Sequence, residues 1–269
     1  MKNRKRKQFT AQELYIRNHK QHKRAISFSR LLLFAAFLII WELASTLGLI
    51  DSFFFSSPSL VAMCAYRMMS DGTLFVHIGV TLLETLVSFF LVFILGIATA
   101  MLLWYSDKLS EILEPYLVIL NSLPKSALAP LLIVWLGTGM KTIIVAGISV
   151  AVFGSIISLY TGFNEVDKNR LTLIRTLGGT KRDCFMQVIM PGSVPTIIST
   201  IKVNIGLALV GVIIGEFLAA RRGLGYLIIY GSQVFQLNMV IMSIIILCVI
   251  ALGLYQGVQV LEKWGTKRS

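Results

Sequence analysis

The chain has 269 residues, a formal net charge of +12 and a mean hydropathy of +0.78. Its 56% hydrophobic and 14% charged residues stand against about 45–50% and about 25% in soluble domains, which excludes a large water-soluble domain. The apolar content also excludes a disordered chain, so the charge belongs to a membrane protein and its placement decides what it means.

Most of it lies at one end. Residues 1–30 hold ten Lys and Arg and a single acid, Glu13, giving +9 and leaving +3 for the rest of the chain. A nucleic-acid surface would spread its charge differently, and no nucleic-acid partner is expected. The stretch is polar, without a sustained apolar face, and reads as a solvated cytoplasmic tail in reach of lipid headgroups.

Crossing ~30 Å of hydrocarbon takes about 20 apolar residues. Six stretches qualify: 31–49, 78–105, 113–136, 142–161, 194–218 and 239–261. The first is too long for a signal-peptide core, carries Glu42 and lacks a clear cleavage site, so it is expected to stay. Pro124 and Pro130 must bend or split the third. With the N-terminus inside, nineteen Lys and Arg fall in the cytoplasm, against four outside (Arg67, Lys141, Arg221 and Arg222). Both termini are therefore expected to be cytoplasmic. Cys64, Cys184 and Cys248 share no metal spacing or evident pairing, and no metal site is expected.

After the tail, the longest polar segment is 162–193, between the fourth and fifth spans. Leu171, Leu173, Ile174 and Leu177, then Phe185, Val188 and Ile189, recur at three- and four-residue spacing. That predicts two short amphipathic helices, separated at Gly178-Gly179 and ended by Pro191. Their apolar edge requires a cover: the protein's own core, the membrane interface, or a soluble partner.

Gly178, Val188, Met190 and Pro191 keep the spacing of the permease signature of binding-protein-dependent ABC importers. Thr172, Leu173 and Ile174 stand at its Glu-Ala-Ala positions, without the acid. The run from Pro124 through Lys125 and Pro130 to Trp135 and Gly137 resembles the nitrate/taurine/sulfonate branch of that family. So do Trp41-Glu42, Gly215-Glu216 and Gly223-Leu224-Gly225-Tyr226-Leu227. The resemblance covers about residues 31–262.

It implies an all-α integral membrane protein with six transmembrane helices, the type I importer permease (MetI-like) fold, with coupling helices between spans four and five. The implied organisation is a basic tail (1–30), a first helix and external segment (31–76), a five-helix transmembrane domain (77–262) and a short C-terminal tail (263–269). ATPase-coupling residues would be Thr172, Leu173, Ile174, Arg175, Leu177, Gly178, Gly179, Met190 and Pro191. Implied partners are a cytoplasmic ABC ATPase dimer, an extracellular or periplasmic solute-binding protein and a second permease copy, in a bacterial plasma membrane. This chain would bind no cofactor, and ATP would be used by the partner subunit.

Two look-alikes fail. Gly137-Thr138-Gly139-Met140-Lys141-Thr142 lacks the glycine spacing of a phosphate loop, and Gly223-x-Gly225 has Ile228 where a dinucleotide fingerprint needs its third glycine. No convincing nucleophile or paired carboxylates suggest an enzyme.

Charges at bilayer depth cost at least a few kcal/mol and tend to face a bundle interior or a water-filled path. Pro124, Lys125, Pro130, Lys202 and Glu216 are the candidates for a translocation path. Lys125 leads, because it follows a helix break and would favour an anion. Glu42 and Glu216 sit near outer helix ends, in reach of the interface, and Lys202 can snorkel. An ion-gradient-driven carrier using Glu84 or Glu216 is the alternative. Glycines 96, 147, 154, 206, 211 and 215 allow close helix packing, within one chain or between two.

Overall fold

A computed structural model describes residues 11–266, all of whose regular elements are helical. The chain divides into two compact units, residues 1–62 and 63–269. The first ten residues and the last three lie outside the described part, and with them half of the basic tail's cations.

In the first unit, α1 (Ala11–Thr46) runs without a break from the polar stretch into the apolar one, whose span-like part is Ala25–Thr46. The tail beyond residue 10 is thus helical. Neither proline nor glycine interrupts residues 11–46, so nothing stops the span's helix from extending through polar residues. The short α2 (Ser52–Phe55) is capped by Asp51, which accepts the Phe53 N–H at 2.8 Å. Glu42 accepts the Ser59 N–H at 3.0 Å and the Ser59 hydroxyl at 2.7 Å. Trp41 Nε1 donates to the Phe55 carbonyl at 3.3 Å.

After α3 (Pro58–Ser70), the second unit is built on α4 (Thr73–Tyr105), α7 (Met140–Asn164) and α11 (Val194–Ala219), with α7 packed against both others. Small residues set that packing. A Cβ on Gly211 would come within 2.8 Å of the Gly147 Cα, and one on Gly147 within 2.5 Å of the Ser88 hydroxyl. One on Gly96 would meet Ser155 at 2.6 Å. These three glycines therefore serve the fold of one chain, whereas Gly206 faces open space. Asn204 crosses from α11 to Ser155 at 2.8 Å inside the bundle.

Among the described residues, five helices are long and apolar enough to cross a membrane, and six spans result if one bent pair counts as a single span. That pair is α5 (Asp107–Ser122) and α6 (Lys125–Leu136), which meet at 96° across Leu123-Pro124. Of the two expected breakers only Pro124 breaks the span. Pro130 sits inside α6, where its missing N–H forfeits one bond near the first turn. The helix α12 (Leu224–Gln233) precedes the last span, α13 (Leu237–Thr266).

Candidate functional site

The segment between α7 and α11 forms α8 (Lys168–Thr176), α9 (Lys181–Cys184), a π-helical turn (Phe185–Ile189) and α10 (Met190–Gly192). Asp167 caps α8 by accepting the Asn169 N–H at 2.9 Å. Gly178 ends it at φ +83, with Gly179 N–H donating to the Ile174 carbonyl at 2.9 Å and Gly178 N–H to that of Arg175 at 3.0 Å. This pair of bonds is a Schellman stop. Thr180 and Asp183 then form a reciprocal capping box. Those Thr180 bonds, side chain first and backbone second, hold the Asp183 carboxyl below the usual carboxylate range.

Pro191 does not end the second helix as expected. In the preceding π turn the Met190 N–H reaches back five residues to the Phe185 carbonyl, and the widened turn accommodates a residue that cannot donate. Helical backbone then continues through Gly192 and Ser193 to α11.

The apolar edge divides between two tasks. Phe185 is buried among Trp104, Tyr105 and Phe163, at ring separations of 5.3, 5.6 and 5.6 Å. Cys184 and Ile189 join that cluster, with Leu171, Ile174 and Met190 packed against it. Ile174 and Met190, expected at the coupling surface, therefore turn inward. Leu173 and Leu177 remain 59% and 75% exposed, beside exposed Thr172, Arg175 and Gly178. Lys181 braces the mount: Nζ donates to the carbonyl of Tyr105, the last residue of α4, at 2.9 Å and lies 5.6 Å from the Trp104 ring centre.

The proposed path residues separate. Lys125 folds back onto the carbonyls of Leu120 (3.2 Å) and Asn121, so the cation closes the C-terminal end of α5. Pro124 and Pro130 are exposed at and beyond the bend. Lys202 pairs with Glu262 of α13 at 2.6 Å.

Glu216 is not at an interface, being only 1% exposed. Its carboxylate accepts the Thr81 hydroxyl at 2.6 Å and the backbone N–H groups of Gly225 and Tyr226, at the start of α12. Thr81 in turn accepts the Leu224 N–H at 2.8 Å. Glu84, also buried, lies against Glu216, so two carboxyl groups meet inside the bundle. Among the described residues, the second Glu84 oxygen and the Thr85 hydroxyl have no hydrogen-bond partner.

Sequence reasoning misses Thr81, His77 and Lys181. One Thr in an apolar span, or one Lys among five basic residues in a loop, has no periodicity to mark it. The Gly223-x-Gly225 spacing is the available hint, because a Cβ at either glycine would meet the Glu216 carboxylate at 2.4 or 2.8 Å.

Together these features define a polytopic helical membrane subunit with a braced surface segment between two of its core spans. Residues 92–264 match the family described as the binding-protein-dependent transport system inner membrane component. A probable ABC transporter permease protein of Haemophilus influenzae is 32% identical over 84% of this chain and 91% of its own length. The taurine transport system permease protein TauC of Escherichia coli is 26% identical over 85% of each chain. The inward-facing MetNI methionine ABC transporter superposes with a TM-score of 0.63 over 72% of this chain and 96% of that one, at 19% identity, which shows a shared fold. The chain belongs to the binding-protein-dependent transport family and is the membrane-spanning permease subunit of an ABC importer. It works with an ATPase and a solute-binding protein, not as a gradient-driven carrier.

Proposed function

We propose that residues 168–192 seat the ATPase subunits and that this chain, paired with a second copy, conducts a small anion inward. The observation that carries the ATPase part is the contrast along one helix. Ile174 is packed into the Phe185 cluster while Leu173 and Leu177 stand exposed on a segment braced by Lys181. An exposed apolar tip on a fixed mount suits a partner that must push on it without peeling it away.

In this reading ATP is bound and hydrolysed by the partner, and this chain holds no nucleotide and catalyses no reaction. Both termini lie in the cytoplasm of a bacterial cell, as the distribution of Lys and Arg favours. ATP closure of the ATPases would draw two docked segments together and open the path outward, a rigid-body switch between two states. Thr172, Arg175, Gly178 and Gly179 frame the contact, and the acid missing at Thr172 removes one salt bridge from it. An anionic solute, a sulfonate such as taurine or an inorganic anion, is favoured by the likeness to the taurine permease and by Lys125 at the bend. A vitamin precursor is the second solute class that the resemblance to this branch of the family admits.

The test is a Leu173→Glu/Leu177→Glu variant. It should insert and fold normally yet fail to co-purify the ATPase and fail to drive uptake in ATP-loaded vesicles. Normal co-purification and uptake would overturn the docking assignment. For the anion, Lys125→Met should weaken the apparent affinity for the transported solute; an unchanged affinity would refute that role.

A further inference from the structure

The turn joining α11 to α12, residues 220–223, carries two adjacent arginines and is held from several sides. The Ala219 carbonyl accepts the Gly139 N–H at 3.0 Å, and Glu216 binds the backbone just past the turn. His77 Nδ1 lies 3.0 Å from the Gly223 nitrogen and 3.1 Å from its oxygen, so either protonation state of that atom fastens the ring to Gly223. The imidazole stacks on Tyr226, with ring planes 3° apart.

Arg221, Arg222, His77, Tyr226, Thr73 and Val76 line a cavity of about 410 Å³. Both guanidinium groups are in exposed residues, and among the described residues neither forms an ion pair. Arg222 lies near enough to His77 to act on it electrostatically. Of the carboxyl groups near the lining in sequence, Asp71 is engaged by the Thr73 N–H at 2.9 Å and hydroxyl at 2.6 Å, and Glu216 by the Thr81 hydroxyl and the Gly225 N–H. The lining thus offers two uncompensated forked cations and an imidazole on a backbone that needs no ordering to receive a ligand.

We propose that this cavity is an oxyanion site, taking a phosphate, sulfonate or carboxylate group between Arg221 and Arg222. Guanidinium forks match such groups bidentately, and a preformed turn lowers the cost of binding. The group can come from a phospholipid headgroup at the membrane surface or from a free solute anion.

The proposal rests on the transmembrane assignment but not on transport. The full-length permease, wild type and Arg221→Gln/Arg222→Gln, would be purified and tested in two arms. Native mass spectrometry after partial delipidation counts retained phosphatidylglycerol. Calorimetry with methanesulfonate, in a non-ionic maltoside detergent, reads the free anion. A headgroup site predicts one phosphatidylglycerol fewer per chain in the variant. A solute site predicts at least tenfold weaker methanesulfonate binding. Equal lipid counts together with equal or undetectable anion binding in both proteins would overturn it. ATP-driven uptake by the reconstituted complex, measured alongside, reports separately on the function proposed above.

Discussion

The Thr81 hydroxyl donates to Glu216 at 2.6 Å while accepting the Leu224 N–H at 2.8 Å, so one side chain of α4 joins α11 to the start of α12. All three groups are in buried residues, so losing a partner exposes the others to an unmet hydrogen-bond demand. Thr81→Val, which keeps the shape, should cost about 1–3 kcal/mol. Glu216→Ala should cost more, because it also strands the Gly225 and Tyr226 N–H groups. Thermal unfolding in detergent of both single variants and the double variant checks this. The two losses should fall short of additivity by about 0.5–3 kcal/mol, as expected of residues in one network. Strict additivity would show that the two residues act separately.

Gly223 combines a φ of +117 with a Cβ direction that runs into the Glu216 carboxyl at 2.4 Å. Gly223→Ala should therefore destabilise the protein and push the carboxylate off the α12 N-terminus. Gly79, within α4, has nothing within 4 Å of its Cβ position and is the control. Gly79→Ala should be neutral or stabilising by up to about 1 kcal/mol. A melting temperature equally unaffected by both substitutions would remove the steric account of Gly223.

The spans were legible because apolar runs of about 20 residues have few other uses. The Gly178 stop was legible because its left-handed backbone leaves a residue-type signature. Pro191 was not: proline is a dependable helix breaker when the preceding turn is α, and the π turn at 185–189 changes that local geometry. Ile174 and Leu173 show a second limit. Period alone puts both on the apolar side of a short helix, and which of them is buried depends on a cluster that includes Trp104, arriving from α4, a helix distant in sequence. Glu216 shows a third. A carboxylate in a span reads as a candidate for a path until the three donors that surround it are in place.

Lys181 connects the surface segment to α4 through a carbonyl and an indole. Its Nζ complements the negative end of the α4 dipole as well as the Trp104 face. Lys181→Met should leave ATPase co-purification intact but raise the ATP consumed per solute transported, because the mount gives before the bundle moves. Lys181→Arg should restore most of the coupling. A stoichiometry equal to wild type in the Met variant would show that the brace carries no load.

The conformation of Gly178, not its surroundings, makes it sensitive: nothing lies within 4 Å of its Cβ position. Gly178→Asn, a residue that tolerates the left-handed region, should retain ATPase binding. Gly178→Val should lose binding while the permease still inserts, because a β-branched residue opens the α8 stop and shifts Leu177. Pull-down of the ATPase separates the two. Equal binding by both variants would mean that the stop does not position the contact.

The Thr180–Asp183 capping box sets a pH limit on this segment. Thr180 holds the Asp183 carboxyl below its ordinary value of 3.8, so the box contributes fully above that value and is lost as pH falls through the lower, folded value. Coupling should therefore be insensitive to this group across the neutral range. Hydrogen exchange of the 180–189 amides, corrected for intrinsic rates, should show more protection in wild type than in Asp183→Ala at pH 7. That gap should narrow once the pH is well below 3.8. A gap that keeps its size however far the pH falls below 3.8 would show that ionised Asp183 is not what caps α9.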